Sequence, residues 1–233
     1  MDRDVNSSRQ INPGDSPQVL VVGNGAIGVL NTDWGDNGHW QQLPISYPGL
    51  VTGAAQAWCY TKNKDNLLAE ILNLIVFRDA NQVMGDLLIN LGNEYKAWGL
   101  TIPNSSPLFW LLQDSAENLE RYDLEDQKPI HNTLERLADY RAMLDKSQLS
   151  RPDSALIYQE IDLTIRMMEH ACRRGLTIFG RGNYNHPQQR LRELSSIKAD
   201  FKRIWMERNR IGGLTESLDR FNIISQEYKE ANA

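Results

Sequence analysis

The chain has 233 residues, enough to bury a substantial core in one or two domains. Hydrophobic residues make up 41% of it and charged residues 24%, and the net charge is −5, so no basic stripe favours a nucleic-acid partner. The sequence lacks a signal peptide and an apolar run long enough to cross a bilayer, which predicts a cytoplasmic protein with no membrane partner.

The first 30 residues contain one feature typical of a cofactor site. Residues 1–17 are polar and predict an irregular lead-in, whereas residues 18–30 are mostly apolar and predict a strand. Gly23, Gly25 and Gly28 complete a G-x-G-x-x-G pattern after this strand, which is a dinucleotide fingerprint only if a helix starts there. Residues 29–36 are poor helix formers, and no second strand ends in an acid about 20 residues on. A Rossmann-type protein is therefore a remote alternative.

The next segment, residues 31–41, is the most informative part of the chain. It contains the indoles Trp34 and Trp40, the carboxylates Asp33 and Asp36, and the imidazole His39. Flat aromatic rings stack on the apolar face of a pyranose, and carboxylates accept hydrogen bonds from its hydroxyls. The segment therefore favours a sugar pocket at the end of a strand, and the alternative is a surface turn with two incidental tryptophans.

The rest of the chain is predicted to be helical. Residues 49–60 are small and apolar, and the next helices are expected to begin at Asp65, Asp79 and Ser105 or Ser106. Residues 114–130 predict an acidic irregular stretch. Longer helices follow, with Asp153 capping one and Thr215 capping the last. Their apolar stripes are given by these residues: Leu134, Leu137, Ala138 and Leu144; Ile157, Ile161, Ile165, Met168 and Cys172; Leu191, Leu194, Ile197, Phe201, Ile204 and Trp205; Leu218, Phe221, Ile224 and Tyr228.

The remaining polar residues predict no cofactor and no metal. The four histidines have no Cys or Glu at ligand spacing. Cys59 and Cys172 lie in apolar helical patterns and predict buried thiols of a reducing compartment. Arg208 and Arg210 end a helix and favour packing and capping over a site, because cations are stabilised at that end of the helix dipole. We expect one or two strands followed by seven or so helices.

Two segments of the chain carry a resemblance to a known family. Matching words lie in Gly28–His39, Tyr47–Gly49 and Gly53–Ala55, and a weaker set lies in Trp205–Arg210, Gly212–Leu214 and Ser217. They resemble the last barrel strand with its helix, and the helical tail, of glycoside hydrolase family 20 β-N-acetylhexosaminidases of the bacterial exo-acting branch. The resemblance implies a terminal N-acetylhexosamine as the substrate.

The resemblance also implies roles for the residues of this loop. Trp34 would form a wall of the pocket for the N-acetyl sugar, and Asp36 would bind the O4 and O6 hydroxyls, where many members have a longer Glu. Asp33, His39 and Trp40 would be substrate-binding neighbours without an assigned role. For His39, a loop histidine bonded locally is an equal alternative.

The resemblance further implies a fold. It is mainly α, with the last strand-helix unit or units of a (β/α)8 barrel followed by a C-terminal α-helical bundle. The expected divisions are residues 1–17 as the lead-in, 18–60 as the terminal part of the barrel and 61–233 as the helical region. The length excludes the first six strand-helix units of such a barrel.

The family's general acid and acetamide-orienting carboxylate form an Asp-Glu pair, and this sequence contains no Asp-Glu dipeptide. We therefore expect no catalytic residue here, and no hexosaminidase activity from the isolated chain. The sequence predicts a fragment or region of such an enzyme, a chain that works beside an upstream barrel chain, or a decayed remnant. The alternative is a non-catalytic carbohydrate-binding or structural helical domain.

Overall fold

The structure is a computed structural model, and it describes residue 28 and residues 30–35, 37–63, 67–100, 105–119, 126–180 and 187–231. Most of these residues are helical, as the prediction of a mainly α chain requires. Residue 28 and residues 30–35, where the resemblance implies the last barrel strand, have neither helical nor strand conformation. An isolated antiparallel bridge joins Asp79 to Leu149.

Ten α-helices can be assigned in this part of the chain. They are α1 (Leu43–Asn63), α2 (Leu68–Ile71), α3 (Met84–Asn93), α4 (Pro107–Trp110), α5 (Ala116–Leu119), α6 (Lys128–Lys146), α7 (Ser154–Ile178), α8 (Pro187–Arg208), α9 (Leu214–Asp219) and α10 (Asn222–Glu230). A π-helical segment, Leu72–Phe77, continues α2, and a 3₁₀ segment, Glu94–Trp98, continues α3.

Helix α1 begins earlier than the sequence pattern predicted. The loop was expected to reach Pro48, but the helix starts at Leu43 and includes both Pro44 and Pro48. A proline is tolerated in the first turn of a helix, because the amide it lacks has no partner inside the helix there. Near the other end of the helix, Cys59 has a non-helical backbone, and its side chain is only partly buried, contrary to the prediction of a buried thiol.

Ser106 caps a helix start as predicted, and Asp79 caps a helix that begins later than predicted, at Met84. The Asp79 carboxylate accepts hydrogen bonds from the amides of Val83 at 2.9 Å and Met84 at 3.1 Å, at the start of α3. Ser106 Oγ accepts a hydrogen bond from the amide of Phe109 at 3.2 Å, with Pro107 in the first turn of α4. Asp65 lies outside the described residues.

Two other predicted caps are wrong. The Asp153 side chain caps no amide of α7, because Arg151 and Arg208 bind its oxygens instead. The last apolar stripe is divided between α9 and α10, and α9 starts after Gly213 rather than at Thr215. Residues 114–130 also contain the short helix α5, and α6 begins at Lys128 within them.

The centre of the molecule is helix α7, which packs against α6 on one side and α8 on the other. Its predicted stripe is buried at Ile157, Ile161, Ile165 and Cys172, and Met168 is partly buried. Burial raises the pKa of the Cys172 thiol. Helix α10 packs against α8, and α1 packs against α7. This scaffold holds the loop of residues 31–41 against the helical core.

None of the helices in this part of the chain combines the length and apolar character that a bilayer crossing requires. The described residues also hold no group of three or more His, Cys, Asp and Glu side chains that could bind a metal ion.

Candidate functional site: an aromatic groove beside the loop of residues 31–41

The loop of residues 31–41 reverses direction at Asn37 and Gly38. Both have left-handed backbones, with φ of 57° and 83°. A Cβ atom on Gly38 would lie 3.2 Å from the Cα of Ser217, so the turn requires glycine for its conformation and for its close approach to the tail. Gln113 fixes the turn by donating a hydrogen bond to the Asn37 carbonyl at 2.8 Å. The turn therefore aims the next two residues into the helical scaffold.

Trp40, one of the predicted sugar-binding residues, lies in the core. It is 5% exposed, and its ring stacks on Phe221 with 3.9 Å between the centroids. Its indole N–H donates a hydrogen bond to the carbonyl of Ser217 at 2.8 Å, across 177 positions of sequence. The ring also meets Phe109 edge-on, with 5.8 Å between the centroids, and Trp40 thus anchors the loop to the helical tail.

His39 lies between Trp40 and the surface and is half-buried. Its amide donates a hydrogen bond to Ser217 Oγ at 3.3 Å, and its ring meets the ring of Trp205 edge-on at 6.2 Å. His39 lines two cavities. One is a groove of about 440 Å³ between the loop and the helices, here called the main groove, and the other is a smaller pocket of about 100 Å³. Arg208 and Glu160 line that smaller pocket, where their side chains form a bidentate ion pair.

Trp34, by contrast, is 76% exposed and stands at the edge of the main groove. Asp33 is also exposed, and both of its carboxylate oxygens accept hydrogen bonds from the start of α1 and the loop, one from Ser46 and one from Gln41. Asp33 is not one of the residues that line the groove. Asp36 lies outside the described residues. Of the five predicted site residues, the structure thus brings Trp34, His39 and Trp40 to one groove.

The groove has a volume of about 440 Å³ and runs between the loop and the helical scaffold. Helix α3 with its 3₁₀ extension, the start of α4 and the middle of α7 form its second wall. The residues of this wall are Leu91, Gly92, Tyr95, Ser105, Ser106, Leu108, Phe109, Leu112, Thr164, Met167 and Met168. The described lining contains no Asp, Glu, Lys or Arg, so these side chains can bind and orient a ligand but supply no carboxyl for acid-base catalysis.

Sequence reasoning did not identify this second wall. Met168 lies on a stripe predicted to be core, yet it is only partly buried, and Tyr95, which is 41% exposed, was assigned no role. A stripe shows which face of a helix is apolar, but not whether another element covers that face completely.

The dinucleotide alternative is not supported by the described residues. A helix is needed immediately after Gly28, and residues 30–35 are non-helical. The first helix after the glycines is α1, which begins at Leu43. The strand predicted before the glycines lies outside the described residues.

Comparison of the chain with protein-family models, curated proteins and solved structures finds no match.

Proposed function

We propose that this chain is the C-terminal region of an exo-β-N-acetylhexosaminidase-like glycoside hydrolase, and that it forms one wall of the pocket for the terminal N-acetyl sugar. The observation that carries the proposal is the contact between the two segments that resemble this family. The amide of His39, from the first segment, and the indole of Trp40, the residue after it, both donate hydrogen bonds to Ser217, from the second. Segments far apart in sequence that match one family are expected to touch when they keep that family's packing.

The chemistry of the loop supports the same proposal. Trp34 presents its indole to solvent beside a groove, where a pyranose can stack on it. Trp40 and the Gln113 hydrogen bond fix the loop at residues 37 and 40, which reduces the length of loop that must be ordered on binding. Asp36 as the group that binds O4 and O6 rests on the resemblance alone.

Binding without turnover is the expected behaviour of the isolated chain. The sequence lacks the Asp-Glu pair that supplies the general acid and orients the substrate's acetamido group. In this proposal, residues 18–60 are the terminal part of a barrel, and a cytoplasmic barrel chain would provide the pair. A non-catalytic carbohydrate-binding domain remains the alternative, and it differs in having no such partner.

Calorimetric titration with methyl β-N-acetylglucosaminide tests the sugar site directly. We expect weak binding by the chain, and an affinity about tenfold lower for Trp34→Ala, equivalent to about 1.4 kcal/mol. The matched control is Trp58→Ala, because Trp58 is 89% exposed but does not line the groove.

The two tryptophan variants separate the possible outcomes. Both are expected to melt close to the parent chain, because both side chains are exposed. No binding by the parent chain, or an equal loss in both variants, would overturn the proposed sugar site. Asp36→Asn is expected to weaken binding without lowering the melting temperature, because a charge-assisted hydrogen bond becomes an ordinary one.

A further inference from the structure

The groove extends beyond the loop residues that the proposed sugar site uses. Five side chains of its second wall, here called the helical wall, are Leu91, Tyr95, Phe109, Met167 and Met168. They comprise two aromatic rings, two thioethers and one aliphatic chain. Methionine side chains adapt to ligands of irregular shape because they are unbranched and polarizable. The helical wall therefore has the composition of a site for an apolar group.

Two hydroxyl groups that line the groove beside this wall, those of Thr164 and Ser106, already have partners in the protein. Thr164 Oγ1 donates a hydrogen bond to the carbonyl of Glu160 at 3.0 Å, within α7. Ser106 Oγ accepts the amide hydrogen of Phe109 at 3.2 Å, where it caps α4. A second sugar ring bound here would bring several hydroxyls into a region with few groups directed at them, and their desolvation would be costly.

The lack of acidic and basic side chains in the described lining also favours an apolar group. The described lining contains no Asp, Glu, Lys or Arg, so a charged group would lose its water without gaining an ion pair. The volume of about 440 Å³ lies within the range of roughly 300–1,000 Å³ that is usual for pockets of drug-sized ligands. Such a volume accommodates a sugar together with a further group of similar size.

We propose that the helical wall is an aglycone site for an uncharged apolar group, so that the chain favours N-acetylhexosaminides of aryl or alkyl aglycones over oligosaccharides. The proposal rests on the proposed function for the identity of the sugar. In it, Trp34 and the loop hold the sugar, and the helical wall holds the group attached to it.

The test compares ligands that differ only in the aglycone. Titration of the full chain with methyl and octyl β-N-acetylglucosaminide, with the octyl compound below its micelle concentration, is expected to give about tenfold tighter one-to-one binding of the octyl compound. The disaccharide chitobiose is expected to bind no more tightly than the methyl compound.

Variants assign the gain to the helical wall. Met168→Gln and Tyr95→Ala are expected to remove most of the tenfold gain and to leave the affinity for the methyl compound unchanged. Two variants are used because Met168 is partly buried, whereas Tyr95 is 41% exposed and tolerates truncation. Met206→Gln is the control for Met168, since Met206 is 49% exposed on α8 and lies outside the groove lining.

Failure of this proposal is distinguishable from failure of the proposed function. Three results would overturn the aglycone site and leave the sugar site standing. The methyl and octyl compounds bind with equal affinity, chitobiose binds more tightly than the octyl compound, or Met206→Gln has the same effect as Met168→Gln. If octyl glucoside binds as tightly as the octyl N-acetylglucosaminide and the methyl compound does not bind, the sugar site is overturned and the apolar site stands.

Discussion

The helices α6, α7 and α8 differ from the segment of residues 30–63 in which side chains are buried and which are exposed. In the helices, the buried Glu160 and Arg174 form ion pairs, with Arg208 and Glu227 respectively. In the segment, Leu30, Trp34 and Trp58 are among the most exposed apolar residues. Exposed aromatic groups on a fixed support are suited to binding a ligand or a partner, whereas the paired charges hold the support.

Trp40 and Trp34 belong to the same loop, but Trp40 is buried and Trp34 is exposed. Trp40→Ala is expected to lower the free energy of unfolding by about 3–5 kcal/mol, since it removes the stack on Phe221 and the hydrogen bond to Ser217. Trp34→Ala is expected to change it by less than about 0.5 kcal/mol. Urea unfolding of both variants measures this, and equal losses would contradict the division of roles.

Arg174 tests whether the scaffold depends on its buried charges. Its guanidinium is 1% exposed and donates hydrogen bonds to the carbonyls of Leu111 and Asp114 and to the Glu227 carboxylate. Arg174→Met is expected to cost about 3 kcal/mol, because it removes one partner of these buried groups. The control, Arg203→Met on the surface of α8, is expected to cost less than about 1 kcal/mol. A small loss for Arg174→Met would show that the scaffold does not need this charge.

Two glycines of α3 test how closely the scaffold is packed. A Cβ atom on Gly85 would lie 2.2 Å from the carbonyl oxygen of Ala69, whereas one on Gly92 would meet nothing within 4 Å. Gly85→Ala is therefore expected to cost about 1–3 kcal/mol, and Gly92→Ala to be neutral or to stabilise by up to about 1 kcal/mol. Thermal melting of the pair checks this. Similar melting temperatures would mean that α2 and α3 separate without cost.

His170 gives the smallest expected effect, which depends on pH. Burial lowers the pKa of His170 below its usual value of 6.5, while Glu193, 3.3 Å from the ring, favours the charged form, and Arg173 and Arg174 oppose it. On its other side the ring is 3.0 Å from the Tyr228 hydroxyl. As the pH falls below about 6.5, the unfolded chain takes up the proton before the native chain does, so stability falls.

The measurement is the free energy of unfolding between pH 7.5 and 5. It is expected to fall with pH in the parent chain, with a flatter dependence in His170→Gln. An unchanged slope in the variant would assign the pH dependence to other groups.

The sequence predicted those features that depend on neighbouring residues. The α7 stripe and the caps at Asp79 and Ser106 follow from local spacing and side-chain type. The Asp153 cap failed because a distant cation, Arg208, binds its carboxylate. Competition of this kind depends on the tertiary fold and leaves no local signal.

The candidate site shows the same limit. The sequence placed Trp34 and Trp40 in one sugar pocket, but the burial of Trp40 is decided by Ser217, 177 positions away. Met168 was predicted to be core because it lies on an apolar stripe, and Tyr95 was assigned no role. Whether such a side chain faces another helix or a groove depends on which elements meet there.

The most direct test of the account uses the six indole N–H signals in a proton–nitrogen correlation spectrum of the chain, assigned by single substitutions. On addition of methyl β-N-acetylglucosaminide, the Trp34 signal is expected to shift progressively, and the Trp58 signal is expected to stay unchanged. A spectrum in which the Trp34 signal stays fixed at saturating sugar, or in which only Trp58 responds, would contradict the account.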